Sequence, residues 1–277
     1  MDRFEFSRGT AIVTGAASGI GQQLVYALAR RGSALALVDR DAERLERVAR
    51  EAAGLSGRPL ASYVTDLADD GATHALGGDL AAAHPDARLL VNNAGVALGG
   101  TFEQATEEEF DWLLAINLRA VITLTRALLP SLRANPGSHL VNVSSVFGLI
   151  APAGQVAYAT SKFAVRGFTE ALRAELAGQV GVTVVHPGGI RTRIAETARI
   201  AAAATAAEEA LGRTSFTRLL TYPPERAAEQ IADAVEHRRP RLLIAPSARL
   251  SDGVARLAPA RYPALLGLIQ RASGTKP

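Results

Sequence analysis

Seven short apolar runs recur along this 277-residue chain, and a longer helical stretch separates most of them from the next. The runs lie at residues 10–13, 35–38, 60–64, 88–91, 139–143, 182–185 and 242–245. Each has the length of a buried strand and is too short for a helix. Helical patterns fill the intervals at 20–31, 42–52, 70–83, 107–134, 156–178 and 224–237. Alternation of this kind makes neighbouring strands parallel, because each crossover helix returns the chain to the same end of the sheet. Right-handed crossovers then predict an α/β, Rossmann-type, doubly wound and mainly parallel seven-stranded sheet with helices on both faces.

The first strand runs into Thr14-Gly15-Ala16-Ala17-Ser18-Gly19-Ile20-Gly21, which opens the first helix. Glycines there let backbone approach a pyrophosphate, and the helix N-terminus offers unpaired N–H groups and a positive dipole end. A tight turn without a ligand is the other reading of the glycines alone. The second strand ends at Asp39. A carboxylate in that place accepts hydrogen bonds from ribose hydroxyls and repels a 2′-phosphate, which favours NAD over NADP. Asp39 could instead cap the helix that starts near Asp41, and Arg40 could pair with a phosphate.

Tyr158 and Lys162 stand four apart, on one face of a helix, with Ser145 thirteen residues before the tyrosine. A phenol titrates near 10, too high for an efficient base at neutral pH, and a neighbouring ammonium lowers that value. A phenol tuned in this way can exchange a proton with an alcohol or ketone, and a serine hydroxyl can hold the same oxygen.

With these residues together the chain resembles the short-chain dehydrogenase/reductase family. The resemblance rests on Thr14 to Gly21, Asn92-Asn93-Ala94-Gly95, Asn117 in I-N-L-R, Ser145 in V-N-V-S-S-V-F-G, Tyr158 to Lys162, and Pro187-Gly188 followed by Thr192. It covers about residues 8–194 and implies an NAD(P)-dependent oxidoreductase. The implied catalytic set is Asn117, Ser145, Tyr158 and Lys162, with Asn117 holding a water that connects Lys162 to solvent. The implied cofactor contacts are Gly15, Ser18, Gly19, Ile20 and Gly21, then Asp39 and Arg40. They continue through Asp66 and Leu67, Asn93, Ala94 and Gly95, the Tyr158–Lys162 pair, and Pro187, Gly188, Ile190 and Thr192. Asp66 would reach the adenine, unless it caps the next helix, a task open to Asp69 as well. The resemblance also implies a homodimer or homotetramer built through the helices of Asn117 and Tyr158.

Substrate-pocket candidates are Val96, Ser145, Phe147, Leu149, Gln155 and Gly189, with Leu98 and, less directly, His186 beside them. Most are apolar, which suits an apolar secondary alcohol or ketone. An NADPH-dependent ketone or 3-oxoacyl reductase is the alternative, and a non-catalytic dinucleotide-sensing protein is the alternative of another class. One domain is expected over 1–246, with 193–222 as a substrate lid and 247–277 as a C-terminal extension. Arg249, Arg256, Arg261 and Arg271 alternate there with Leu250, Leu257, Leu265, Leu268 and Ile269. Packing on the domain or a neighbouring subunit is expected for this extension, and contact with a membrane surface is the second reading.

Cysteine is absent and five histidines are scattered, so no metal site is expected. The net charge of +3 and the absence of a basic, aromatic-interleaved stripe give no reason to expect nucleic acid. With no signal-like N-terminus and no uninterrupted apolar stretch of membrane length, a cytoplasmic enzyme is the default expectation.

Overall fold

The computed structural model describes residues 2–264. Its main sheet has seven strands: β1 (Thr10–Thr14), β2 (Ala34–Asp39), β3 (Leu60–Val64), β4 (Ala87–Asn92), β6 (His139–Val143), β7 (Gly181–Pro187) and β9 (Arg241–Ile244). Two-residue strands β5 (Leu98–Gly99) and β8 (Arg199–Ile200) form a small second sheet. The order of the main sheet is β3-β2-β1-β4-β6-β7-β9, and every pairing in it is parallel. β1, β4, β6 and β7 are buried along their whole length. Covered on both faces, such strands read as continuous apolar runs, not as alternating ones.

Successive side chains point to opposite faces. Val13, Leu37 and Val185 enter one core with Leu24, Leu28 and Ile231. Ile12, Val38 and Leu90 enter the other with Leu124, Leu128 and Leu140. The covering helices are α1 (Gly19–Arg30), α2 (Ala42–Ser56), α3 (Asp70–Ala83), α4 (Glu107–Leu114), α5 (Ala120–Ala134), α6 (Val156–Glu175) and α9 (Pro224–Glu236). The chain begins in mid-sheet, steps outward to β3, and returns to place β4 on the other side of β1. At that reversal the connections leave in opposite directions and open a crevice above the strand ends.

Two N-caps decide questions left open by the sequence. Asp41 caps α2 by accepting from Arg44 N at 3.1 Å, and Asp69 caps α3 by accepting from Ala72 N at 2.9 Å. Asp39 and Asp66 are therefore free of the capping task. Elsewhere the helix expected over Glu107–Ala134 is not uniform. A π turn, Ala115–Arg119, joins α4 to α5 and carries Asn117. By length and composition this segment could cross a membrane; in the fold Leu124, Leu128 and Leu132 are buried in the core.

The stretch 193–222 contains α7 (Ile194–Thr197), β8 and α8 (Ala206–Leu219). The expected boundary at 246 falls inside α10 (Ala245–Leu257), which Arg241 on β9 ties down through two bonds to the Asp252 carboxylate. Leu265, Leu268, Ile269 and Arg271 lie outside the described residues.

Candidate active site

The crevice opens into a cavity of about 1020 Å³ that runs from Asp39 and Asp66 at one end to Ser145, Tyr158 and α8 at the other. Its floor is the glycine turn between β1 and α1. Gly15 and Gly19 have φ of +66° and +56°, and a Cβ on Gly15 would lie 2.9 Å from Ala94 Cα. Only glycine takes this conformation without strain and leaves room for a ligand against the backbone. Ser18 is the N-cap of α1, and its side chain makes no capping bond. Thr14 Oγ accepts from both Asn93 N and Ala94 N, at 3.1 and 3.0 Å, and so ties the glycine turn to the segment after β4. The Asn93 amide donates to Thr14 O at 3.0 Å.

The Asp39 carboxylate accepts from Ala17 N at 2.9 Å and from Asp41 N at 3.0 Å. These bonds hold it at the cavity wall with lone pairs still free, since an ionised carboxylate has about four acceptor sites. Arg40 lies 3.8 Å from Asp66, both half exposed. Leu67, Pro187, Gly188, Ile190 and Thr192 also line the cavity.

At the other end Tyr158, Lys162 and Ser145 are all buried. Lys162 Nζ lies 5.7 Å from the Tyr158 ring centroid and donates to Val143 O at 3.1 Å. Ser145 caps a short 3₁₀ turn, Val146–Gly148, by accepting from Phe147 N at 3.1 Å. Ser144 is committed elsewhere, donating to Lys162 O at 2.8 Å, which leaves Ser145 as the serine beside the phenol. The electrostatics differ from the expectation drawn from spacing. Burial lifts the phenol above its ordinary value, more than the Ser145 hydroxyl lowers it. Burial also brings the Lys162 ammonium down to about 8. Proximity to a cation was predictable from i, i+4 spacing; the desolvation of the phenol was not.

Five expected residues do not line the cavity: Gly21, Leu149 and Asn117, and the flanking candidates Leu98 and His186. Gly21 is buried beneath the turn, where a Cβ would come 2.0 Å from Gly15 O; its glycine serves helix–strand packing. Leu149 points into the protein, 3% exposed, and Ile150 takes its place on the wall because the 3₁₀ turn shifts the register. Asn117 is buried behind the wall. Its Oδ1 accepts from Val96 N at 2.8 Å, and its Nδ2 donates to Val96 O and Ser161 Oγ at 3.0 and 3.1 Å. Protein groups occupy both amide atoms, so the side chain anchors Val96 to α6. Leu98 likewise packs in the apolar cluster around Tyr158.

Val96, Phe147, Gln155 and Gly189 do line the cavity. His186 is buried, its Nδ1 3.1 Å from Ser145 O, and burial pushes its imidazole down to about 4. It supports the serine segment from behind as a neutral ring.

The sequence profile of the short chain dehydrogenases matches residues 9–203 of this chain. The chain belongs to that family. Among curated relatives, a Mycobacterium tuberculosis protein named as an oxidoreductase, SadH, is 36% identical over 264 residues, covering 94% of this chain and 95% of its own. EphD of Mycobacterium bovis, also named as an oxidoreductase, is 36% identical over 89% of this chain, which spans only 43% of that longer protein. A short-chain dehydrogenase/reductase from Burkholderia phymatum, solved with NAD, superposes with a TM-score of 0.82 at 27% identity, covering 92% of this chain and 95% of its own. One from Sphingobium yanoikuyae, solved with NADPH, gives 0.72 at 28% identity, covering 97% and 96%.

Within this short-chain dehydrogenase scaffold, two cavity residues escape the family motifs. Ser247 and Ser251 stand one helical turn apart on α10 and line the cavity from the C-terminal side. A Cβ on Gly188 would lie 2.2 Å from Ser247 Oγ, so that glycine admits α10 to the wall. A small residue at 188 facing two serines four apart was the available signal.

Proposed function

We propose that this protein is an oxidoreductase that moves hydride between NAD and an apolar secondary alcohol or ketone. The observation that carries this reading is one continuous cavity holding Asp39 at one end and Ser145, Tyr158 and Lys162 at the other. The cradle fits a dinucleotide: left-handed glycines leave backbone open beside the N-terminus of α1. Gly15, Ser18, Gly19 and Ile20 would hold the pyrophosphate, Asp39 the adenosine ribose, and Asp66 and Leu67 the adenine. Lys162 would hold the second ribose, and Pro187, Gly188, Ile190 and Thr192 the carboxamide end.

A cofactor held there would supply or accept the hydride, and the positive charge of its oxidised form would oppose the burial penalty on the phenolate. Tyr158 exchanges the proton with the substrate oxygen, and Ser145 holds that oxygen in line. A donor aimed at a developing alkoxide stabilises the transition state more than the ketone. Lys162 favours the ionised phenol, and Asn117 keeps Val96 and α6 in register beneath it.

Assembly as a homodimer or homotetramer in the cytoplasm is part of the proposal. Its support is the outward stripe of α6, where Val156, Thr160, Phe163, Gly167 and Ala171 are exposed, small or apolar.

Side-by-side calorimetric titration with NADH and NADPH tests the cofactor. Asp39 is expected to make NADH bind at least roughly tenfold more tightly, because a 2′-phosphate beside a carboxylate pairs like charges. Tighter NADPH binding would transfer the decision to Arg40 and Arg44, which line the same end. Failure to bind either would remove the oxidoreductase reading.

A further inference from the structure

On the basis of that reading, we infer that the substrate carries a long aliphatic chain, which lies beneath α8 while its carbonyl or carbinol carbon faces Tyr158. α8 is a fourteen-residue helix in which no residue is buried. Glu208, Leu211, Gly212, Ser215, Phe216 and Leu219 nevertheless line the cavity. Their spacing of three and four places them on one face. The apolar side of this helix thus covers the cavity and does not enter a protein core. Leu211 and Leu219 remain 41% and 63% exposed, and a Cβ on Gly212 would meet no atom within 4 Å.

The opposing wall is apolar as well, with Phe147, Ile150, Ile194 and Ile200. Phe147, Ile194 and Phe216 pack against the cluster that contains Tyr158. One apolar surface therefore runs from the reacting phenol to the underside of α8.

The helix is held across this space at both ends. Gln104 Nε2 donates to Glu208 Oε2 at 3.2 Å, and Thr221 N and Tyr222 N donate to Gly189 O at 3.1 and 2.9 Å. The charged groups near this face are mostly satisfied internally. Glu208 Oε2 accepts from Thr205 N and Oγ1 at 2.7 and 2.8 Å, and Arg213 Nε donates to Glu209 at 2.9 Å. Arg213 and Arg218 also line the cavity, and Arg218 stands exposed at the helix end. The space beneath α8 therefore offers mainly hydrocarbon contact beside these arginines, which suits an alkyl chain.

The test is a series of 2-alkanones from 2-butanone to 2-decanone, reduced with NADH and NADPH, together with calorimetric binding of 2-decanone to the intact protein. The expected result is a rise in kcat/KM of roughly two- to fourfold per methylene. Gly212→Leu fills the space under the helix with a better helix former. It should reduce the ratio of 2-decanone to 2-butanone activity by at least roughly tenfold, as lost burial of several methylenes requires. A flat or falling series, with 2-butanone reduced, overturns the chain site and leaves the redox reading standing. Binding of 2-decanone that Gly212→Leu abolishes, with no ketone reduced by either cofactor, supports the chain site and overturns the redox reading. Absence of both binding and turnover overturns both.

Discussion

Gly148 closes the turn between Ser145 and α6, and replacing it with alanine should damage the site through packing alone. The added Cβ would lie 2.2 Å from Ser144 Oγ, 2.8 Å from Lys162 O and 3.1 Å from Lys162 C. Rotating the serine hydroxyl away relieves the first contact and breaks its 2.8 Å bond to Lys162 O. The other two contacts are with helix backbone, which moves only if α6 moves. Overpacking of this kind costs about 1–3 kcal/mol, and the lost hydrogen bond adds about 1 kcal/mol. For a chain of this size each kcal/mol lowers Tm by roughly 2–4 °C, so a fall of about 4–16 °C is expected. Because Ser145 and Lys162 flank the clash, turnover should drop by roughly tenfold to a hundredfold, the scale set by displacements below or near an ångström. Scanning calorimetry and steady-state rates measure the two effects. Adding Ser144→Ala removes the nearest atom and should restore part of the Tm, but not the part due to Lys162 backbone. A Gly148→Ala protein with wild-type Tm and full rate would refute the steric argument.

Tyr158→Phe keeps the edge-on ring contact with Phe147 at 6.0 Å, so folding and cofactor affinity should survive. Turnover should fall about a hundredfold or more, as expected when a general acid–base group is removed; a near-normal kcat would take Tyr158 out of the mechanism. Two buried imidazoles should make the protein acid-sensitive. Burial lowers His186 to about 4 and His139 to about 3, from an ordinary value of 6.5. Below pH 6.5 the unfolded chain takes up protons that the fold refuses, so stability falls as pH drops from 6.5 toward 4. Melting curves of His139→Asn and His186→Gln across that window should show a shallower decline than wild type, and parallel curves would contradict the assignment.

The sheet could be read from the sequence because its inner strands are covered on both faces, which leaves no polar alternation to confuse with helix. The glycine turn was equally readable, since it sits between an apolar run and a helix start. Errors arose where a local departure from regular geometry decides which side chain faces the cavity. The 3₁₀ turn exchanges Leu149 for Ile150, and nothing in the composition of V-F-G-L-I announces it. Asn117 was found by motif, but its partners depend on how α6 and the Gly95–Val96 segment meet in space. For Tyr158, spacing reports the Lys162 neighbour, while the burial that raises the phenol is a property of the whole fold. Ser247 and Ser251 went unnoticed because their cue, the small residue at 188, becomes informative only once α10 is known to pack against it.

The π turn at Ala115–Arg119 means that this helix contains one residue more than a regular spiral over the same path would need. Deleting one residue there would restore regular winding and leave α4 and α5 in phase, but would close the wide turn that carries Asn117. Trp112 on α4 would keep its place beneath the Arg199 guanidinium, which stacks 3.7 Å from its ring centre. Arg199 belongs to β8, the strand that leads the chain toward α8. The surplus residue is thus absorbed locally at Asn117, so the catalytic floor can carry an irregular turn while the roof above the chain site keeps its anchorage through Trp112 and Arg199.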